Sequence, residues 1–297
     1  MLEDDPLVMK AIDTTIGGQM SAEQLTQFVD SVVEQSEILQ QIDIITGIEA
    51  SEFQLDVLGL GSRIMRKGVE GTAPAVTDAT VARRTLDPEE VILAFDITKR
   101  FLKRNIARGS ADQAINALFA KQYKNDLIDL IFNGDKDSGD AFIQIINGYI
   151  DRAKADASAH KDATVTDNDL LKDVFASMVD DMPNKWMNED ELMIVVSPSK
   201  QKQYQRELGE KNTQLGDLMT VGKPKLYYEG IEIIKVASFP STELMLTTRK
   251  NLAVGIGQDM EVELFYNSRK RQREYTVTGY VDANYVISDA MVLYTYA

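Results

Sequence analysis

Twenty consecutive residues from Met65 to Arg84, MRKGVEGTAPAVTDATVARR, hold Gly, Thr, Ala and bases but no apolar stripe. Alternating segments flank them, with Phe53, Leu55 and Val57 on one side and Val91, Leu93 and Phe95 on the other. Period-two alternation is the pattern of a half-buried strand. The region 52–96 therefore reads as a long two-stranded ribbon with a polar tip. A lone two-stranded ribbon is marginal in water. This one lacks the apolar residues to bury itself against its own chain, and Gly59, Gly61, Gly68 and Gly71 let it bend. The expectation is that it extends outward and packs on a neighbouring copy, which argues against a self-contained monomeric globule.

Charge is segregated over the same part of the chain. Met1 to Asp56 carries twelve acids and one base, Lys10, whereas Val57 to Ser110 carries ten bases and six acids. The plain reading is two solvated faces. The sharper one is an acidic arm of one copy meeting the basic segment of the next. The inter-subunit residues expected on that reading are Glu34 and Glu37 on the arm, and Arg63, Arg66, Lys67, Arg83 and Arg84 on the ribbon. The arm also carries a helix over 22–41. Ser21 and Gln24 form a capping box, and Leu25, Phe28, Val29, Val32 and Leu39 recur at helical spacing. That apolar stripe needs something to pack on.

Composition closes off several chemistries. With no cysteine there is no disulfide, thiolate metal site or cysteine nucleophile. The single histidine, His160, excludes a multi-histidine metal site within one chain and lies in a polar stretch as an exposed bystander. A net charge of −15 disfavours gripping nucleic acid with the whole surface. The start MLEDDPLVMK is acidic and lacks the apolar core of a signal peptide. No run approaches the roughly 18 apolar residues of a spanning helix. An aqueous, reducing compartment, no membrane and no cofactor are expected.

Downstream, Ser110 to Gln113 is a second capping box. The stripe Ile115, Leu118, Phe119, Tyr123, Leu127, Leu130 and Ile131 then runs to Phe132, where Asn133-Gly134 stops it. This predicts a helix over 110–133 with Ile115, Leu118, Phe119, Leu127, Leu130 and Ile131 as its core face. A further helix is expected at 140–156, a polar boundary at 157–166, and a helix opening at Thr166. Leu192 to Val196 (LMIVV) reads as a buried strand, followed by a short helix at 199–207. Glu229-Gly230 marks a hairpin, and the remainder is mostly strand. The fold class is α+β.

Motifs that could carry chemistry have plainer explanations. Ser197-Pro-Ser-Lys200 matches the Ser-x-x-Lys of penicillin-recognising enzymes, but the companion motifs are absent; a strand end and a helix cap explain it. Asp135-Lys-Asp137-Ser-Gly139 resembles the start of a calcium loop, with its Gly one position early and Ile146 where Glu belongs; a turn is the better reading. Gly255-Ile-Gly257 lacks the third Gly and the helix of a dinucleotide site. Arg269-Lys-Arg271-Gln-Arg273, with Tyr266 and Tyr275 nearby, is the densest basic cluster and reads as a polar turn or inter-subunit contact before a nucleic-acid site. Trp186 reads as a packing anchor. No catalytic residue emerges.

The order of elements resembles one family. An arm with a helix precedes a long polar ribbon and a long capped helix ending in IFNGD. DAFIQIINGYI, MIVVSPSKQKQY, YYEGIEIIKV and NLAVGIGQDMEVE follow, then terminal strands. This looks like the major capsid protein of tailed bacteriophages, the Hong Kong 97-like fold. Phe132-Asn133-Gly134-Asp135 is similar to the family's turn after its spine helix. Asn251 to Gly255, followed by Asp259 and a strand, is similar to another of its segments. The resemblance implies an N-terminal arm (1–50), an extended E-loop ribbon (51–97), a peripheral domain with the spine helix (98–156 and 258–287) and an axial domain (157–257 and 288–297).

It implies a structural protein and no enzyme: a capsid protein self-assembling as hexamers and pentamers into the icosahedral shell around a phage genome. The protein would be made in the host cytoplasm and located in the virion. Portal, scaffolding and decoration proteins are the candidate partners, with packaged DNA touched only non-specifically. The acidic start, with no long helical prodomain before it, departs from the family and leaves scaffold use and cleavage open. Two alternatives stand beside this reading. One is an encapsulin-like cellular shell, which needs a cargo-binding N-terminal helix that the acidic arm does not resemble. The other is a soluble hydrolase using Ser197 and Lys200.

Overall fold

The computed structural model describes residues 18–19, 22–48, 53–60, 79–100, 111–165, 170–187, 191–209, 225–258 and 260–296. In chain order the strands are β1 (Gly18–Gln19), β2 (Asp43–Ile48), β3 (Phe53–Leu60), β4 (Ala79–Leu86), β5 (Glu89–Thr98), β6 (His160–Val165), β7 (Leu192–Val196), β8 (Leu226–Tyr228), β9 (Ile231–Lys235), β10 (Glu243–Thr248), β11 (Leu252–Gly257), β12 (Glu261–Asn267), β13 (Gln272–Tyr285) and β14 (Met291–Tyr296). The helices are α1 (Ala22–Glu34), α2 (Ala111–Asn133), α3 (Tyr149–Ala155), α4 (Leu171–Asp181) and α5 (Pro198–Gly209). They build one sheet ordered β1-β12-β13-β11-β2, with β5 also on β13, a second ordered β6-β14-β10-β7-β9-β8, and a separate β3–β4 ribbon.

The second sheet explains its own sequence. Leu192, Ile194 and Val196 join Leu171, Phe175 and Met178 in one core, while Met193 and Val195 face the other core with Ile131 and Tyr149. β10 and β14 divide in the same way: Leu244 and Leu246 against Met245, Val292 and Tyr294 against Met291 and Leu293. Successive side chains point to opposite faces of a strand, so a sheet covered on both faces requires a continuous apolar run. Each such side chain contributes about 1.5–3 kcal/mol by leaving water.

The long helix α2 lies on the first sheet through an aromatic stack. The Phe119 ring is 6.0 Å from Phe95, and Phe95 is 4.9 Å from Tyr275. Helix α1 packs on α2 in turn, with Phe28 5.5 Å from Phe119 and 5.4 Å from Tyr123. Leu25, Phe28, Val29 and Val32 are buried within their own chain. The arm helix therefore needs no neighbour to cover its stripe. It also ends at Glu34; turns carry Ile38 and Leu39 into the same core.

Other elements differ from the sequence expectation. The ribbon's second strand is β4, paired from Phe53↔Leu86 to Leu60↔Ala79, whereas Val91, Leu93 and Phe95 belong to β5 on β13. Both flanking segments alternate, but the turn around Asp87 and Pro88 separates β4 from β5. The ribbon thus ends at Leu86 and not at 96. The helix expected over 140–156 is a short 3-10 turn (Ile143–Ile145) and α3, broken at Asn147-Gly148.

The break has a cause: the Gly148 N–H donates to the Gly134 carbonyl at 2.8 Å, and a Cβ at Gly148 would meet Gly134 N and Ile131 O at 2.8 Å. Two glycines thus let the chain cross itself where α2 ends. The polar boundary contains β6, whose backbone pairs in parallel with β14, His160 opposite Leu293; polar composition concealed an edge strand. Thr166 lies outside the described residues, and α4 begins at Leu171. Glu229 and Gly230 both have positive φ (47° and 88°) in the two-residue turn between β8 and β9, as a type I′ hairpin requires.

Candidate functional site

Two surfaces are candidates for assembly: the root of the ribbon and a groove beside α2. At the root, Leu86 is wholly buried. A Cβ on Gly255 would come within 2.6 Å of Ile48 Cδ1 and 3.0 Å of Leu86 Cδ1. Gly255-Ile-Gly257 is therefore a packing seat for the entry and exit of the ribbon, in line with the dismissal of a dinucleotide site.

Polar groups fix the same root. Arg84 Nη2 donates to Asp156 Oδ2 at 2.8 Å and to Ser288 Oγ at 2.5 Å, and its guanidinium lies 4.8 Å from the Tyr285 ring centroid. The Tyr285 hydroxyl donates to the same Asp156 oxygen at 2.9 Å. The Asp87 N–H donates to Asp282 Oδ2 at 2.8 Å, Arg152 Nη2 meets Asp282 Oδ1 at 3.0 Å, and Asn284 Nδ2 reaches the Thr85 carbonyl at 2.8 Å. Burial works to raise the Asp156 carboxyl, but hydrogen bonds from Ser288, the Ser158 N–H, Tyr285 and Arg84 outweigh it and hold its pKa at about 2. Asp282 is more deeply buried. There desolvation prevails over Arg152 and the backbone donors, and its pKa is raised.

The groove runs between β5 and α2, with a cavity volume of about 780 Å³. Val91 to Thr98 form one wall, and Leu118, Phe119, Gln122, Tyr123 and Asp126 belong to the other. Leu118, on the α2 wall, is 68% exposed. Burial raises the Asp126 pKa, with Gln122 opposing and Asp129 adding to it.

The expected core face of α2 is thus only partly a core. Phe119, Leu127, Leu130 and Ile131 are buried, Leu118 is not, and Ile115 falls outside the described side chains. Leu118 shares the helical spacing, yet no described element lies over it.

The expected inter-subunit residues separate likewise. Arg63, Arg66 and Lys67 lie outside the described residues. Arg83 and Glu34 are exposed. Arg84 pairs with Asp156 and Glu37 lies 3.5 Å from Lys225, both within their own chain. The root network was missed because its members are scattered from Arg84 to Ser288; the one legible signal was the Arg83-Arg84 pair at the end of a polar stretch.

The other motifs resolve as turns and caps. Ser197 Oγ accepts the Lys200 N–H at 3.3 Å and shares a 2.8 Å hydrogen bond with Ser199 Oγ, while the Lys200 ammonium lies 3.5 Å from the Tyr296 ring centroid. Asp135 Oδ1 accepts the Asp137 N–H and Asp140 Oδ1 accepts the Phe142 N–H, so these carboxylates hold a turn. Among the described residues no group of three or more His, Asp or Glu side chains could hold a metal ion, and no helix is long and apolar enough to cross a membrane. Trp186 packs partly buried against the second core.

No family model matches the chain. A curated relative does: YqbE of Bacillus subtilis (strain 168), described as a prophage capsid protein, is 23% identical over 291 residues, 93% of this chain and 91% of its own. Among solved structures, a chain of the satellite phage P4 procapsid superposes with a TM-score of 0.73 at 15% identity, covering 91% of this chain and 90% of that one. The capsid of the native GTA particle gives 0.62 at 14% identity, covering 90% of each. A virus-like particle from Pyrococcus furiosus gives 0.54 at 12% identity, covering 90% and 95%. The chain has the fold of capsid proteins, and the resemblance drawn from the order of its elements is borne out.

Proposed function

We propose that this chain is the major capsid protein of a tailed phage, whose copies close into the shell around the genome. The observation that carries this is similarity over nearly the whole chain, to a prophage capsid protein in sequence and to phage shells in fold. A soluble Ser197/Lys200 hydrolase is not favoured, because Ser197 acts as a helix cap. The encapsulin-like shell is not favoured either, since the curated relative is described as a prophage capsid protein and the chain superposes on a satellite-phage procapsid.

Within this reading β5, β12 and β13 with α2 form the peripheral domain, the doubly covered sheet forms the axial domain, and the ribbon that ends at Leu86 is the E-loop. The role is structural and not enzymatic, and the site of action is the virion after synthesis in the host cytoplasm. Portal, scaffolding and decoration proteins would be its further partners. Expression of the chain followed by sedimentation and electron microscopy tests the proposal. Closed shells of uniform diameter are expected; a monodisperse monomer under all salt conditions, with or without phage proteins, would overturn it.

A further inference from the structure

The hairpin joining β12 and β13 carries a surface that neither the fold nor the capsid reading requires. Its turn exposes Arg269, Lys270 and Arg271. The Lys99 N–H donates to the Arg271 carbonyl at 2.8 Å, which brings exposed Lys99 and Arg100 from the end of β5 to the same tip. Phe265 and Tyr266 beside it are 64% and 46% exposed, and Lys99 Nζ lies 5.9 Å from the Tyr266 ring centroid. Lys270 has a carboxylate partner, Glu274, at 3.4 Å. Among the described residues none lies at ion-pair distance from Arg269, Arg271 or Arg273.

Arg271 also adopts φ 54°, a left-handed conformation that Gly or Asn holds with less strain. Turn chemistry alone does not select arginine there. Cations interleaved with exposed aromatics are the composition of a contact surface, and this one belongs to a chain of net charge −15.

The same ladder ends in the opposite sign. β5 and β13 pair from Thr98↔Gln272 at the tip to Glu89↔Val281, roughly 30 Å away at the rise of a strand. There Glu89 and Glu90 open β5, Lys136 is bound to Glu89 at 2.6 Å, and Asp135 and Asp137, which flank Lys136 in sequence, act on Asp151. The Asp151 carboxyl is raised by burial and by Asp135 and Asp137, so the negative charge at this end is not fully relieved within the chain.

We propose that the basic β12–β13 tip of one copy seats on the acidic far end of the β5–β13 ladder in a second copy, head to tail. The proposal rests on the capsid reading and names one of its contacts. A head-to-tail contact between different surfaces repeats around a ring, as a shell built from one chain requires. Phosphate is the less favoured occupant because the acidic chain as a whole repels it.

The test is charge reversal. Arg269→Glu with Arg271→Glu alters exposed turn residues only and should leave circular dichroism and the unfolding midpoint unchanged. At low salt it should lower the sedimenting shell fraction at least tenfold. Adding Glu90→Lys and Asp137→Lys to the same chain should restore shells, whereas adding Asp180→Lys and Glu229→Lys should not. Shells formed normally by the tip-reversed chain, or no rescue by Glu90→Lys with Asp137→Lys, would overturn the contact. Normal shells with reduced DNA content would assign the tip to phosphate and overturn it too. Failure of the unaltered chain to form shells would remove the capsid reading itself, which distinguishes the two failures.

Discussion

β7 is buried at all five of its positions, whereas β5 alternates between half-buried and exposed along most of its ten. Both lie in six-stranded sheets, but β7 is a continuous apolar run, LMIVV, whereas β5 alternates apolar with polar residues and carries three acids. β7 has α4 and α5 on one side and the core of α2 and α3 on the other. β5 has α2 on one face only, and its other face shows Ile92 to solvent. Coverage of both faces ties β7 into the core of the chain, whereas β5, covered on one face, leaves apolar surface open. Large open apolar patches are uncommon on monomers, and exposed Ile92, Phe265 and Tyr266 on β5 and β12, with Leu118 on α2, set this part of the first sheet apart from β7 of the second.

Substitution at equivalent depth breaks this contrast most directly. Ile194→Asp places a carboxylate in a site with no exposed surface, at a cost of several kcal/mol or more. Loss of the cooperative unfolding transition is expected, and an unchanged denaturant midpoint would break the comparison. Gly148→Ala should come next, at about 1–3 kcal/mol of destabilisation, because both atoms that its Cβ would meet at 2.8 Å are backbone. Chemical denaturation measures it, and Gly139→Ala, whose Cβ would meet nothing within 4 Å, is the control.

The ribbon root gives a smaller, pH-dependent effect. The Asp156 pKa falls from the ordinary 3.8 to about 2 in the folded chain. Its stabilisation is therefore complete above pH 3.8 and lost as pH falls through about 2. Asp282 is shifted the other way, so its contribution is present at low pH and declines as pH rises through its folded value. Asp156→Asn isolates the first effect: the mutant's stability loss, read from thermal midpoints, should be largest near neutrality and vanish near pH 2. A pH-independent difference would show that geometry and not charge holds Arg84.

The smallest effect on folding is expected at the groove. Leu118→Asp should change monomer stability by no more than about 0.5 kcal/mol, while Leu127→Asp at 4% exposure should unfold the helix packing. Equal effects from the two would erase the distinction between core and open faces of α2.

Patterns confined to one segment were legible in the sequence. The α2 boundaries at Asn133-Gly134, the β8–β9 hairpin at Glu229-Gly230 and the doubly buried LMIVV strand follow from local spacing and turn chemistry. The covering of each stripe was not legible. Leu118 and Leu127 obey the same helical period, yet one is open and the other closed. The α1 stripe has no partner visible in its own segment, and it meets Phe119 and Tyr123 of α2. Among the candidate contact residues, Arg83 and Arg84 are adjacent and alike in sequence, yet Arg84 is tied to Asp156 and Ser288 while Arg83 is exposed.

Sequence alone determined that the chain is α+β, that it carries a ribbon too polar to bury itself, and that its acids and bases are segregated. Periodicity, capping residues and charge act within a few residues and are written there directly. Tertiary structure alone decided that β4 and not β5 closes the ribbon, that Gly134 and Gly148 cross, and that the bases of β5 and the β12–β13 turn gather at one end of a ladder whose other end is acidic. Those arrangements depend on strand register and on contacts between residues distant in the sequence, more than 170 positions apart for β5 and β13. Many pairings satisfy the same alternating pattern, and only the packed core selects among them.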